Sequence, residues 1–228
     1  MLTHLVAESD SGPVILWGMT LHRKDELEHM KQTLAECGCE MPYTLIAFQV
    51  SDWNREFSPW KTEVLDASFS GGGEDTLHDL LEELIPSLRA KYGTQRSFYI
   101  IGYSLAGLFA LWCLYQTDLF AGAASCSGSL WYPDFISYMN THTAFSGKRI
   151  YLSLGGKEAK TGDPLMATVG ECTEQAYKIL KQKNHVKYEL NSGGHFADSG
   201  KRLAKAVRFL AEKGEQSEHK NPEKTVGI

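Results

Sequence analysis

The chain's 228 residues suit one domain with one sizeable core, and 43% hydrophobic against 22% charged residues is the balance of an ordinary globular protein. A net charge of -5 with no Lys/Arg-dense stripe excludes nucleic acid as the main partner, because phosphate binding requires a basic face. The five cysteines are odd in number and form no C-x-x-C pair, and Cys113 and Cys126 sit in apolar runs, so a reducing, cytoplasmic setting is expected rather than a disulfide framework.

Residues 1–12 show neither the basic nor the apolar region of a signal peptide. Residues 13–17 are the first strand candidate, and residues 24–37 follow with Leu27, Met30 and Leu34 at helical spacing, ending against Gly38. Residues 43–50 read as a second strand. An irregular stretch then leads to Gly71-Gly72-Gly73, and residues 75–92 carry a leucine-rich helical face with a kink or break expected at Pro86. Residues 97–101 and 105–115 read as strand and helix. Their nearly unbroken apolar run is about long enough to span a bilayer, but Gly102, Ser104 and Gly107 interrupt it, so a buried strand entering a buried helix is expected. Further strands are expected at 121–125, 149–154 and 186–190, and helices at 165–183 and 199–213, with 214–228 a polar tail beyond a single domain of 1–213. This alternation implies an α/β fold with a mostly parallel sheet of about six strands and helices on both faces. Ligands then bind beyond the carboxyl ends of the strands.

Directly after the third of these strands comes Gly102-Tyr103-Ser104-Leu105-Ala106-Gly107, a G-x-S-x-[small] pattern. A sharp strand-to-helix turn exposes the serine hydroxyl, and the residues two before and two after it must be small to avoid colliding. Ser104 is therefore the candidate nucleophile. A hydroxyl at neutral pH needs a base, and the expected chain order is serine, acid, histidine. Of the eight histidines, His195 in Ser192-Gly193-Gly194-His195 lies just after the last strand, on the same edge as Ser104. His29 and His78 fall in helical stretches, and His185 lies at the wrong edge. The acid belongs in the loop at 155–163, where Glu158 is nearest the strand end, with Asp163 or a dyad without an acid as the alternatives. Backbone N–H groups of Leu105 and Met19 are the expected oxyanion donors. His22, Trp53, Trp60, Trp131 and Tyr132 follow strands and are candidates to line a pocket.

These residues resemble the esterase branch of the α/β hydrolases that includes enterochelin-type siderophore esterases, S-formylglutathione hydrolase and feruloyl esterases. The resemblance rests on residues 101–107 and 192–195, with support from Phe57-Ser58-Pro59-Trp60, Glu83-Leu84-Ile85-Pro86 and Ser127-Gly128-Ser129-Leu130-Trp131. It implies an α/β-hydrolase fold and hydrolysis of a small-molecule carboxylic ester through an acyl-enzyme without metal or cofactor, while this small chain departs from the family in showing little or no lid insertion. From charge and the interrupted apolar run, no nucleic acid or membrane partner is expected. A homo-oligomer is compatible with the chain. Transfer of the acyl group to another acceptor, thioester cleavage, and an inactive ligand-binding protein on the same fold remain the alternatives.

Overall fold

A computed structural model of the chain describes residues 1–20 and 24–212. Its strands are β1 (Leu2–Ala7), β2 (Val14–Thr20), β3 (Thr44–Val50), β4 (Phe98–Tyr103), β5 (Phe120–Cys126), β6 (Arg149–Gly155) and β7 (His185–Asn191). They form one sheet of seven strands in the order β1-β3-β2-β4-β5-β6-β7, parallel except for β1. The sequence led to an expectation of about six. The additional strand, β1, lies antiparallel on β3 at the sheet's edge, with Leu2 opposite Gln49 and a bulge between Leu5 and Ala7. A half-exposed edge strand lacks the continuous apolar run that marks its buried neighbours, so its own residues do not announce it.

Side chains of the inner strands alternate between two cores. Val14, Leu16, Ile46 and Ile100 face one side, together with α5 (Leu105–Gln116). Ile15, Trp17, Leu45 and Ile101 face the other, under α1 (Lys24–Cys37) and α8 (Ser199–Ala211). Helix α5 is apolar all round because it is buried all round, Leu105 to Leu114 without a gap. The long apolar run is thus divided at Ser104 between a strand and a helix. Among the described residues, no helix is long and apolar enough to cross a membrane.

The α-helix is interrupted just before Pro86, as its position predicts. Between α3 (Gly73–Asp79) and α4 (Ile85–Tyr92) the chain widens into a π-helical turn, Leu80–Leu84, which places Pro86 at the start of the next helix where its missing N–H is tolerated. Two short helices, α2 (Trp53–Glu56) and α6 (Phe135–Thr141), lie in stretches whose sequence reads as irregular. The helix expected from residue 165 opens with a 3₁₀ turn, Met166–Thr168, and continues as α7 (Val169–Leu180).

The sheet order also locates the site. From β2 the chain passes to β3 on one side, and β4 returns to β2's other side, so the connections leaving β2 and β4 diverge. In a doubly wound sheet the crevice at such a switch point is where ligands bind.

Candidate active site

Ser104 sits between β4 and α5 with φ 54° and ψ -122°, a conformation that few L residues tolerate. The surroundings enforce it. The Ser104 N–H donates to Cys126 O at 3.0 Å, and its carbonyl accepts from Gly107 and Leu108 at the start of α5 and from Ser129. A Cβ at Gly102 would lie 2.2 Å from the Ala106 carbonyl, which explains why the residue two before the serine has no side chain. Gly102→Ala is accordingly expected to destabilise the chain at the upper end of the roughly 1–3 kcal/mol typical of overpacking. A drop in Tm of about 5–10 °C, read by thermal denaturation, would follow for a domain of this size; an unchanged Tm would contradict this account of the turn.

Glu158 and His195 meet across two loops. His195 Nδ1 lies 2.8 Å from Glu158 Oε2, and the Glu158 side chain is 2% exposed. The other oxygen, Oε1, accepts from Ser127 Oγ at 2.8 Å, the Gly155 N–H at 2.6 Å and Arg202 Nη1 at 2.7 Å. Burial alone would raise this carboxyl. Hydrogen bonds from His195, Ser127 and Gly155, with the charge on His195, outweigh it and hold Glu158 below the ordinary carboxylate value. Gly155 must be glycine here, since a Cβ would fall within 2.6–2.8 Å of Gly193 O, Arg202 Nη2 and Glu158 Oε1. The two loops are further tied by Gly156 N–H to Asn191 O and Lys157 N–H to Gly193 O. Tyr103, next to Ser104, donates its hydroxyl to His195 O; burial pushes that phenol up to about 12, so it stays a donor.

Ser104, Glu158 and His195 all line one cavity of about 660 Å³, together with Thr20, Ser129, Trp53 and Trp131. The Ser104 hydroxyl lies 3.2 Å from that of Ser129, Oγ to Oγ. Several expectations need correction. Asp163 does not reach His195; its carboxylate accepts from the N–H groups of Leu165 and Met166 and shapes the turn before α7. Trp60 and Tyr132 do not line the cavity. Trp60 donates to Pro133 O and packs on Tyr132, whose hydroxyl donates to Trp60 O. His22 and the tail at 214–228 lie outside the described residues. Met19, expected for its backbone N–H, has its side chain buried within β2 in register with Gln49 of β3, and its neighbour Thr20 lines the cavity. Gly18 just before them accommodates Phe57, whose ring would lie 2.8 Å from a Cβ there.

Other lining residues escaped the sequence reading. Phe196 is 85% exposed and Met166 40% exposed at the cavity's rim. Arg202, fully buried under the site, escaped it too, though its spacing of four and seven from buried Ala206 and Phe209 places it on the inward side of α8. Cys126, on the same sheet edge, is wholly buried, and burial lifts its thiol to about 12, which leaves it unreactive.

Comparison with known proteins identifies the family. The family model described as "Putative esterase" matches residues 4–210. No curated relative matches the chain. Among solved structures, an IroE-like serine hydrolase from Shewanella oneidensis superposes with a TM-score of 0.73 at 18% identity, covering 92% of this chain and 74% of that one. The siderophore hydrolase EstA of Aspergillus nidulans gives 0.63 at 17%, covering 88% and 82%. The enterochelin esterase of Shigella flexneri gives 0.63 at 17%, covering 91% of this chain but 53% of that longer one. At such identities the structures establish the shared α/β-hydrolase fold, and the family match across nearly the whole chain establishes the rest: this protein belongs to the putative esterase family and is an esterase-like hydrolase.

Proposed function

We propose that the protein hydrolyses small-molecule carboxylic esters through a Ser104 acyl-enzyme, with His195 as general base and Glu158 as the acid that orients it. The observation that carries this reading is the pairing of buried Glu158 with His195 Nδ1 at 2.8 Å on the same cavity as the strained Ser104. Glu158 Oε2, accepting from Nδ1–H, leaves the Nε2 lone pair free to take a proton. In attack, the Ser104 hydroxyl exchanges its contact with Ser129 for His195 Nε2, gives up its proton, and Oγ bonds to the ester carbonyl carbon. The negative charge that develops on the carbonyl oxygen would be met by the Leu105 N–H, which opens α5, and by a second N–H at the end of β2, with Met19 as the candidate. The imidazolium then returns its proton to the leaving alkoxide. Water, deprotonated by the same imidazole, releases the acid and restores Ser104.

Trp53, Trp131, Met166 and Phe196 give the cavity an apolar, largely aromatic wall, so esters with an aryl or short acyl group are the substrates to try first. Hydrolysis of p-nitrophenyl esters tests the proposal. Only a neutral imidazole can act as base, so kcat/KM is expected to fall in acid. Turnover that is absent across an acyl and aryl ester panel, or that does not fall in acid, would overturn it.

A further inference from the structure

Arg202 is a charged residue buried inside the fold. It lies in the first turns of α8 with its side chain 1% exposed. Removing a guanidinium from water is costly, and where packing alone is at stake an apolar side chain of similar size usually serves as well or better. The directions of its hydrogen bonds indicate what it does instead. Nη1 donates to Glu158 Oε1 at 2.7 Å, Ser127 Oγ at 2.6 Å and Tyr103 OH at 3.1 Å. Nη2 donates to the carbonyls of Ser192 at 3.0 Å and Gly194 at 2.9 Å, in the loop that carries His195. One planar group thus touches the acid, the residue preceding the nucleophile, the end of β5 and the histidine loop.

We infer that Arg202 is a positioning residue of the Ser104–His195–Glu158 site, holding the Glu158 carboxylate and the His195 loop in one fixed relation. The inference rests on the function proposed above. By occupying Oε1 together with Ser127 and the Gly155 N–H, the guanidinium leaves Oε2 alone to face the imidazole. By gripping two carbonyls on either side of Gly193, it sets the path of a loop whose glycines would otherwise allow many. Ser127 takes part at a cost of its own, since it is held at φ 48°. Arg202 does not line the cavity and so does not touch substrate.

The test compares the natural chain with Arg202→Met, Glu158→Gln and the double variant. The kcat for p-nitrophenyl acetate is measured per active site, titrated to completion with a fluorophosphonate. Counting only competent sites removes the effect of any loss of folded protein. Arg202→Met is expected to lower kcat per titrated site about 10- to 100-fold, the usual effect of removing a partner that orients a functional group, with KM within about threefold. In the Glu158→Gln background the same substitution is expected to cost less than about threefold, because both act through one carboxylate. If Arg202→Met fails to fold, Arg202→Lys carries the test: it keeps the charge and loses the fork, and it is expected to show the same loss of kcat in milder form. An active natural chain whose Arg202 variants keep full kcat per site, or losses that simply multiply in the double variant, would overturn the inference while leaving the proposed function standing. A natural chain with no titratable serine would bring down both.

Discussion

Ser104→Ala is expected to remove ester turnover, by at least about 10⁴-fold, and to leave the fold in place. A catalytic serine acts with its base as a unit, so its loss forfeits nearly all of the chemical acceleration, and only what the oxyanion donors and binding supply persists. Alanine keeps the Cβ and the same backbone requirement at φ 54°, so the strain in the turn is neither relieved nor increased. The hydroxyl's contact with Ser129 at 3.2 Å is long, and its deletion changes stability by less than about 1 kcal/mol. The measurement is intact mass after exposure to a small fluorophosphonate. One adduct on the natural chain and none on the variant, at equal Tm, is the expected result. An adduct on Ser104→Ala, or retained turnover, would place the nucleophile elsewhere.

Glu158→Gln is expected to reduce kcat by about 10³- to 10⁴-fold, because an amide facing Nδ1 no longer selects the tautomer that leaves Nε2 unprotonated. It carries a second, independent signature in stability. The substitution leaves the buried Arg202 guanidinium without its counter-charge, a loss of about 3–5 kcal/mol. That corresponds to a fall in Tm of about 6–15 °C near neutral pH. The sign of the pH dependence follows from the depressed carboxyl of Glu158. Its stabilising contribution is complete above the unfolded carboxylate value of about 4.3 and disappears as pH falls through the lower folded value. The gap in Tm between the natural chain and Glu158→Gln is therefore expected to hold steady from pH 7 to about 5 and to narrow below the unfolded value. A gap that persists unchanged into acid would show that the ionised carboxylate is not what stabilises the site.

Much of this architecture can be read from the chain because its signals are local. Continuous apolar runs mark β2, β3 and β4, which are buried on both faces, and the small residues around Ser104 answer to a clash confined to one turn. His195 stands out through the glycines before it and the strand end beside it. What escapes notice depends on contacts distant in sequence. β1 is a strand chiefly because β3 lies beside it. Arg202 sits among Lys201, Lys205 and Arg208 in a helix that reads as having an ordinary basic face, and only the helical phase shared with Ala206 and Phe209 separates it from them. Trp60 and Trp131 both follow strands, yet one is held by Pro133 and Tyr132 while the other opens on the cavity. Position after a strand does not distinguish the two cases.

The placement of Ser104 at the head of a helix buried along its length has a consequence for how such a protein can change. Substitutions beside Ser104 disturb the buried interior of the helix it heads, so that segment leaves little room for drift. The walls that meet the ligand are supplied instead by Trp53, Trp131, Met166 and Phe196, drawn from the connections that follow β3, β5, β6 and β7. Loops of this kind tolerate exchange and insertion far better than the elements they join. New substrate preferences can then arise by altering those four connections one at a time while the proposed reacting centre is inherited intact, which makes them the places to diversify in a library selected for altered ester preference.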